Sequence, residues 1–296
     1  MRRRSRGVAL VAVLWGVVLL AVLAAGVAAL TRTENRLAEL DLESAHQEAL
    51  TASIRVLVIQ RLSSPVEARR LHVDGAPANF DWNGETAVVT ATLESGRIDL
   101  NAASDGLLTA LGQEVGLSPK ESDAWLDRLR DWQDLDDARR LNGAEAADYR
   151  LAGRPYGPRN GPVKDINELP LVLGSVDAQV ACFASATTVF TQSPEPSAAS
   201  ASPLARQAVD RWRKANAREP LPLGTDSGAV ARPDVVGQVI RLMIELKNGG
   251  ASGRRNLEVG RATGSSRIPW MSLARWIEGR SPVCRPKESA TINHAS

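Results

Sequence analysis

Residues 8–30 have the sequence VALVAVLWGVVLLAVLAAGVAAL, a run of 23 residues without a charged side chain. A helix rises about 1.5 Å per residue, so this run would be about 34 Å long, enough to cross a hydrocarbon core of about 30 Å. Four arginines precede the run, namely Arg2, Arg3, Arg4 and Arg6. Positive charge on one flank holds that flank in the cytoplasm. The sequence therefore predicts a single-pass inner-membrane protein with its bulk in the periplasm.

A cleaved secretory signal is the alternative explanation of this N-terminus. Small residues near the end of the run, at 24–26 and 28, could offer a cleavage site. The apolar region of a signal peptide is usually about 7–15 residues long, however. The length of the run therefore favours a retained anchor over a removed signal.

The composition bounds the possible functions. Hydrophobic residues make up 44% and charged residues 24% of the 296 residues, which is typical of a globular protein. Two Cys and three His are too few for a Cys-rich zinc module or a disulfide-dense miniprotein. The formal charge is +2, but without the four N-terminal arginines 32 basic residues face 34 acidic ones. The body of the chain is therefore not a basic surface for nucleic acid.

The helix is predicted to continue beyond the membrane. Apolar residues recur every three to five positions, and we expect them to form one face of an amphipathic helix: Leu37, Leu40, Ala45, Ala49, Ala52, Val56 and Ile59. Ser63-Ser64-Pro65 would end it. The sequence predicts one helix from Val8 to about Leu62, with a membrane-spanning half and an amphipathic half.

The rest of the chain alternates in character. Residues 88–93 are rich in β-branched side chains and predict a strand, whereas 104–174 are helical in pattern. This order predicts an all-α domain, residues 104–180, inserted into an α/β domain. Residues 192–203 are poor in large apolar side chains and predict a flexible linker. A basic amphipathic helix is expected after Ser202, either as a binding helix for a partner or a membrane surface or as a solvated face, and another helix over Pro233–Lys247.

Six carboxylates lie within 18 residues of the predicted insert, with only Arg139 and Arg140 to balance them. Such carboxylates repel one another unless they are solvated, paired or bridged by a cation. A hard cation with six to eight oxygen ligands suits them, and the absence of nearby His or Cys argues against zinc. The ligand order of an EF-hand is missing. The alternative is a solvated acidic loop whose Asp residues cap helix ends.

The N-terminal junction resembles that of type IV prepilin-like proteins. Gly7 lies directly between the arginines and the apolar run. The resemblance implies that residues 1–7 are a leader and that a prepilin peptidase cuts between Gly7 and Val8, leaving the helix attached. Most such proteins have Glu at the fifth mature position, where this chain has Ala12. A subunit without this carboxylate suits the end of a filament better than its middle.

Three segments together resemble the protein K family, the minor pseudopilins of the type II secretion system. They are 131–137, Asn142–Glu145 and Pro155–Pro162, the last leading to Asn167–Leu169. The resemblance implies an α+β fold: a long N-terminal helix packed on an antiparallel sheet, with the all-α insert. The pilin-like parts would be residues 31–103 and 181–296, the latter strand-rich in the family.

The same resemblance implies calcium in the insert. By position, Asp134, Asp136 and Glu145 are the best candidate ligands, and Asp137 and Asn160 are weaker ones. Asp148 stands where the family pattern usually has Tyr. The resemblance further implies assembly with minor pseudopilins of the I and J types and with the major pseudopilin. The place of this subunit would be the tip of a periplasmic pseudopilus that exports folded proteins.

Cys182 and Cys284 are the two cysteines of the chain. In an oxidising periplasm they could form a disulfide that closes a loop of about 100 residues. Two unrelated free thiols are the alternative.

An enzyme and a nucleic-acid-binding protein are the two alternative classes of function. No nucleophile elbow, phosphate loop or His-based metal motif is present, so we predict no enzyme, although the carboxylates leave a paired-carboxylate hydrolase open. Residues 98–103 followed by Leu107-Leu108 also resemble the start of a helix-hairpin-helix domain, which would make the chain a membrane-anchored nucleic-acid-binding protein. Its expected hairpin, 115–119, has one glycine and acidic surroundings, so we expect no nucleic acid partner.

Overall fold

The computed structural model describes residues 5–64, 66–175, 177–217, 235–247, 255–264, 269–278 and 284. The chain divides into two compact units, residues 1–53 and residues 54–296. The described part of the first unit consists of helix alone, and the second unit contains the sheets and all remaining helices.

Helix α1 spans Ser5–Leu62 and ends at the predicted residue. Among the described residues, α1 is the one helix that is long and apolar enough to cross a membrane, and its most apolar stretch is not buried by the protein itself. The apolar side chains between Leu10 and Leu30 are exposed, as lipid-facing side chains would be.

The predicted amphipathic face of α1 is wrong. Within the second unit the buried side chains are Ile54, Val58 and Leu62, which recur every four residues, whereas Val56 is 61% exposed. The prediction counted alanines as core positions. Large aliphatic side chains bury far more apolar area than a methyl group, so they decide which stripe of the helix faces the core.

The second unit is built on a five-stranded antiparallel sheet in the order β1-β2-β5-β6-β7. The strands are β1 Ala78–Trp82, β2 Glu85–Leu93, β5 Val239–Leu246, β6 Arg255–Ala262 and β7 Trp270–Glu278. Asn83 and Gly84 connect β1 and β2 with positive φ angles of 51° and 83°, the backbone of a tight two-residue hairpin turn. Alternate residues of β2 are buried, as expected of a strand with one face on a core.

The helix predicted over Pro233–Lys247 is wrong, because its described residues from Val239 onward form strand β5. Val89 of β2 and Leu257 of β6 lie opposite Ile244 and Met243 of β5. A central strand covered on both faces has a nearly continuous apolar sequence, which periodicity alone does not separate from a buried helix. Pro233 and Asp234 lie outside the described residues. Strands β6 and β7 complete the strand-rich C-terminal region that the family resemblance implied, and the α+β fold class is confirmed.

The chain between β2 and β5 forms the insert. It contains the helices α2 Asp105–Glu114, α3 Pro119–Gln133, α4 Ala146–Leu151, α5 Asp177–Ala186 and α6 Pro203–Ala215. A short parallel pair, β3 Ile98–Asp99 and β4 Thr187–Thr188, joins the chain just before α2 to the chain just after α5. One hydrophobic cluster contains residues from α2, α3, α5 and α6, so the helical core extends beyond the predicted boundary at 180.

The segment predicted as a flexible linker is fixed to the structure instead. The amide of Ser197 donates to the carbonyl of Ser95 at 2.7 Å, and that of Ser202 to Gly96 at 3.0 Å. Pro196 is buried. Composition predicted flexibility because it does not register backbone hydrogen bonds to a distant part of the chain.

Two links join the insert to the sheet. The Arg241 guanidinium on β5 pairs with the buried Glu94 carboxylate at 2.5 Å and donates to the carbonyl of Ala184 in α5 at 3.1 Å. Burial, and then the charge of Arg241, lower the pKa of the neighbouring Arg97 to about 9.

A disulfide between Cys182 in α5 and Cys284, with sulfurs 2.10 Å apart, forms the second link. Of the two alternatives left open by the sequence, the structure contains the bond.

Candidate metal centre

The acidic loop follows directly after the C-terminal end of helix α3. Its N-terminus carries a capping box between Ser118 and Glu121, with Pro119 in the first turn. Two carboxylates near its C-terminal end hold the loop that follows. Asp127 accepts hydrogen bonds from the backbone and side-chain nitrogens of Asn142 at 3.0 and 2.9 Å, and Asp131 accepts one from the amide of Arg140 at 3.2 Å.

Gly143 lets this loop pass close to α3. A Cβ atom at this position would lie 1.9 Å from Oδ2 of Asp131, which is far inside van der Waals contact. Asp131 is fully buried. The absence of a side chain at 143 therefore allows the loop to close over a buried carboxylate.

Four buried side-chain oxygens in this region have no hydrogen-bond partner. They are both carboxylate oxygens of Glu145, Oδ1 of Asp134 and Oδ1 of Asn160. Glu145 is only 6% exposed. Buried polar atoms are normally paired, so a group of orphaned oxygens indicates a missing partner such as an ion or a water.

The electrostatics agree with this indication. Burial, and then the charges of Asp131 and Asp134, raise the pKa of Glu145 to about 7. Burial also raises the pKa of Asp131 and of Asp134, and the charge of Asp136 adds to the effect on Asp134. Negative charge thus accumulates here without enough positive charge to balance it.

The loop that carries Asn160 is linked to α3 through Glu168. Oε1 of Glu168 accepts hydrogen bonds from Arg159 at 2.8 Å and from the amide of Lys164 at 3.0 Å, and Oε2 accepts one from Trp132 of α3 at 3.1 Å. Asn160 itself has φ of 52°. Glu168 therefore fastens the Pro155–Pro162 loop to α3. Glu168 belongs to the family pattern in the sequence, but this role of Glu168, like those of Asp127 and Asp131, depends on contacts that the sequence does not predict.

The other predicted ligands differ in their exposure and in the hydrogen bonds that they accept. Asp136 and Asp137 are exposed, and Asp136 accepts a hydrogen bond from the amide of Ala138 at 2.9 Å. Asp148 accepts one from the amide of Glu145 at 2.9 Å and pairs with Arg139 at 3.1 Å. The Glu145 amide is the main cause that lowers the pKa of Asp148. Asp148 thus caps α4 and positions Glu145, with both oxygens already engaged.

In the parts of the chain that the structure describes, no three His, Cys, Asp or Glu side chains group at metal-ligating spacing. The orphaned oxygens belong to two carboxylates and one amide, Asp134, Glu145 and Asn160. An all-oxygen donor set of mixed charge suits a hard cation such as Ca²⁺ and not zinc. The residues present therefore fit a calcium ion better than a transition metal.

The segment that resembled a helix-hairpin-helix start has an internal role. Asp99 is buried and accepts hydrogen bonds from the amides of Asn101 at 2.9 Å and Gln192 at 2.8 Å. The Asn101 side chain donates to the carbonyl of Val163 at 2.9 Å and accepts from its amide. These polar groups tie β3 to neighbouring loops, and nothing supports the nucleic-acid alternative.

Helix α6 is amphipathic, as predicted, and its apolar face packs on α2. Its buried residues are Leu204, Ala205, Ala208 and Val209. Arg211 pairs with Glu114 and Arg213 with Glu195, both at 2.5 Å. Arg211 and Arg213 therefore pair within the protein, which fits the solvated-face alternative better than a membrane-binding helix.

The predicted processing site lies in the first turns of α1. Gly7 and Val8 belong to the helix, and residues 1–4 lie outside the described residues. Cleavage between Gly7 and Val8 stays a prediction.

Comparisons with known proteins agree with this architecture. Residues 88–192 match the family model of the type II secretion system (T2SS), protein K. The fold is similar to that of a chain in the GspK-GspI-GspJ complex from the enterotoxigenic Escherichia coli Type 2 Secretion System, with a TM-score of 0.59 and 15% identity over 81% of this chain and 99% of that chain. No curated protein matches. The family match contains the whole candidate metal centre, and together with the structural match it supports type II secretion protein K, a minor pseudopilin, as the protein to which this chain is similar.

Proposed function

We propose that this minor pseudopilin occupies the tip of a periplasmic pseudopilus, helps to start its assembly and so supports the export of folded proteins. The insert between β2 and β5 is the observation that carries this proposal. In the described residues, five helices lie between β2 and β5, two neighbouring strands of the sheet, and we infer that this bulk would obstruct a subunit stacked above. Ala12 also contributes no carboxylate to an intersubunit pair within the membrane.

The proposed partners are minor pseudopilins of the I and J types and the major pseudopilin. The solved complex to which the fold is similar contains GspK, GspI and GspJ, and this supports the choice of partners. We further propose that residues 8–30 anchor the chain in the inner membrane, with the bulk in the periplasm, after the prepilin peptidase removes residues 1–7. The proposed role is structural rather than enzymatic, and no observation favours the paired-carboxylate hydrolase.

We also propose that the insert binds calcium through Asp134, Glu145 and Asn160. Their orphaned, buried oxygens support this ligand set. Asp136 and Asp137 flank it as further oxygen donors, and Asp131, Asp148 and Glu168 hold its backbone. When bound, the cation would supply the positive charge that the surrounding carboxylates lack.

Site-specific labelling tests the position in the filament. Both native cysteines form the disulfide, so a single new cysteine can be labelled selectively. Leu151→Cys, at a position 86% exposed on α4, would be labelled on assembled pseudopili and located by electron microscopy. We expect label at one end of each filament. Label along the length would contradict the tip position, as would unchanged assembly and secretion in cells that lack the protein.

A further inference from the structure

The two edges of the five-stranded sheet differ in chemistry. In the described part of the chain, β1 and β7 each pair with a neighbour on one side only. Strand β1 has five residues and exposes the polar Asn79 and Asp81 beside Trp82, whereas β7 has nine residues. Short polar edges resist further pairing, but long edges with free amides and carbonyls favour it.

Strand β7 also exposes apolar side chains. Met271 is 46% and Ile277 54% exposed, and Leu273 between them is exposed too. A register shift at Val259/Gly260 leaves Leu273 without a partner residue on β6. The charged residues of β7 are Arg275, which is exposed, and Glu278 at its end, so that Trp270–Ala274 contains no charge. This edge therefore has little of the charge that keeps edge strands from associating.

Three contacts hold β7 in place. The Trp276 side chain packs against the hydrophobic cluster of the insert, and the Trp270 indole donates to the Glu258 carboxylate at 2.8 Å. Cys284, shortly after the strand, is bonded to Cys182. A partner that pairs with β7 would therefore meet a strand that is already ordered, which lowers the entropic cost of association.

We propose that a neighbouring minor pseudopilin adds a strand along the outer edge of β7 and covers Met271 and Ile277. This rests on the proposed function. A row of alternating amide donors and carbonyl acceptors is matched by another extended backbone, whereas a lipid surface offers no such alternation.

Charge substitution on full-length protein tests this edge. The chain is co-expressed with the I-type and J-type pseudopilins of the same cell and purified in detergent. We expect the double variant Met271→Lys/Ile277→Lys to weaken binding of the pair at least about tenfold, because each lysine would have to be desolvated in the interface. Its thermal unfolding midpoint should match that of the wild type. Asn79→Lys on the other edge and Leu151→Lys in the insert are the matched controls, and both should bind normally.

Amide hydrogen exchange distinguishes strand pairing from side-chain contact. Addition of the partner pair should slow exchange in β7 and leave that in β1 unchanged. Two outcomes would overturn the strand addition alone. One is wild-type affinity in the double variant. The other is slow hydrogen exchange of the β7 amides in the isolated chain, which would mean that its own residues already cover the edge. Failure of the wild-type chain to bind the pair would overturn the proposed function as well.

Discussion

At the scale of single residues, Glu145 is the central residue of the proposed metal centre. It is a buried carboxylate without a hydrogen-bond partner, and its pKa is raised to about 7. A carboxyl whose pKa is higher in the folded than in the unfolded state costs stability as it ionises. Without metal, the folded protein should therefore lose stability as the pH rises from about 4.5 to about 7.

Glu145→Gln should remove the share of the pH effect that Glu145 contributes, leaving that of Asp131 and Asp134, and it should abolish the calcium effect. Calcium should raise the unfolding midpoint of the wild type at pH 8, and a chelator should reverse this, because a bound cation stabilises only the folded state. The variant should show no calcium-induced rise, and in chelator it should be more stable than the wild type. Differential scanning calorimetry measures these midpoints. Asp123→Asn, at an exposed position on α3, is the control, and an equal calcium response in Glu145→Gln would contradict the assigned ligand.

Gly143→Ala should destabilise the protein by about 1–3 kcal/mol, because the added methyl group would overlap the Asp131 carboxylate. Gly161→Ala is a matched control in the Asn160 loop, since its Cβ would have no neighbour within 4 Å. Urea denaturation of both variants measures the difference. Equal stability of the two variants would show that the loop does not need its close approach to α3.

At the scale of elements, the contact between β5 and the insert depends on a buried charge. The guanidinium of Arg241 forms an ion pair with Glu94 and donates hydrogen bonds to the carbonyls of Ala184 and Thr187. This interaction explains why a central strand can carry an arginine that is almost fully buried. The periodicity of residues 239–246 did not reveal it, since Glu94 lies 147 residues away in sequence.

Glu94→Ala should cost about 3–5 kcal/mol of folding free energy, because it leaves Arg241 and Arg97 buried beside each other without their carboxylate. Glu67→Ala removes an exposed partner of Arg70 and should change stability by no more than about 1 kcal/mol. Chemical denaturation measures both values. A similar small loss in the two variants would mean that water reaches the Arg241 site.

At the scale of the whole molecule, the disulfide joins parts of the second unit that are far apart in sequence. Cys182 and Cys284 are separated by 102 residues. The bond connects the core of the insert to the region just after β7, and so couples the helical and sheet parts of this unit.

Loss of this bond should lower the free energy of unfolding by about 2–5 kcal/mol, the range typical of long loops. Cys182→Ser/Cys284→Ser should behave like the wild-type chain under reducing conditions, and reductant should not affect the double variant further. Thermal unfolding with and without reductant provides the measurement. A wild-type midpoint that does not respond to complete reduction would contradict a stabilising role.

The sequence by itself determined the features that depend on local order along the chain. The apolar run of residues 8–30, the end of α1 at Leu62 and the concentration of carboxylates after Asp131 all follow from neighbouring residues. The family pattern was also local, and it lies inside the matched residues 88–192.

Only the tertiary structure decided which of these residues meet. In the folded chain Ile54 and Val58 form the buried stripe of α1, and residues 239–246 form a central strand. Side-chain oxygens of Asp134, Glu145 and Asn160 are buried without hydrogen-bond partners, whereas those of Asp148 accept hydrogen bonds. Each outcome depends on partners distant in sequence, and the free energy of burial and hydrogen bonding to them exceeds the local preference of the segment.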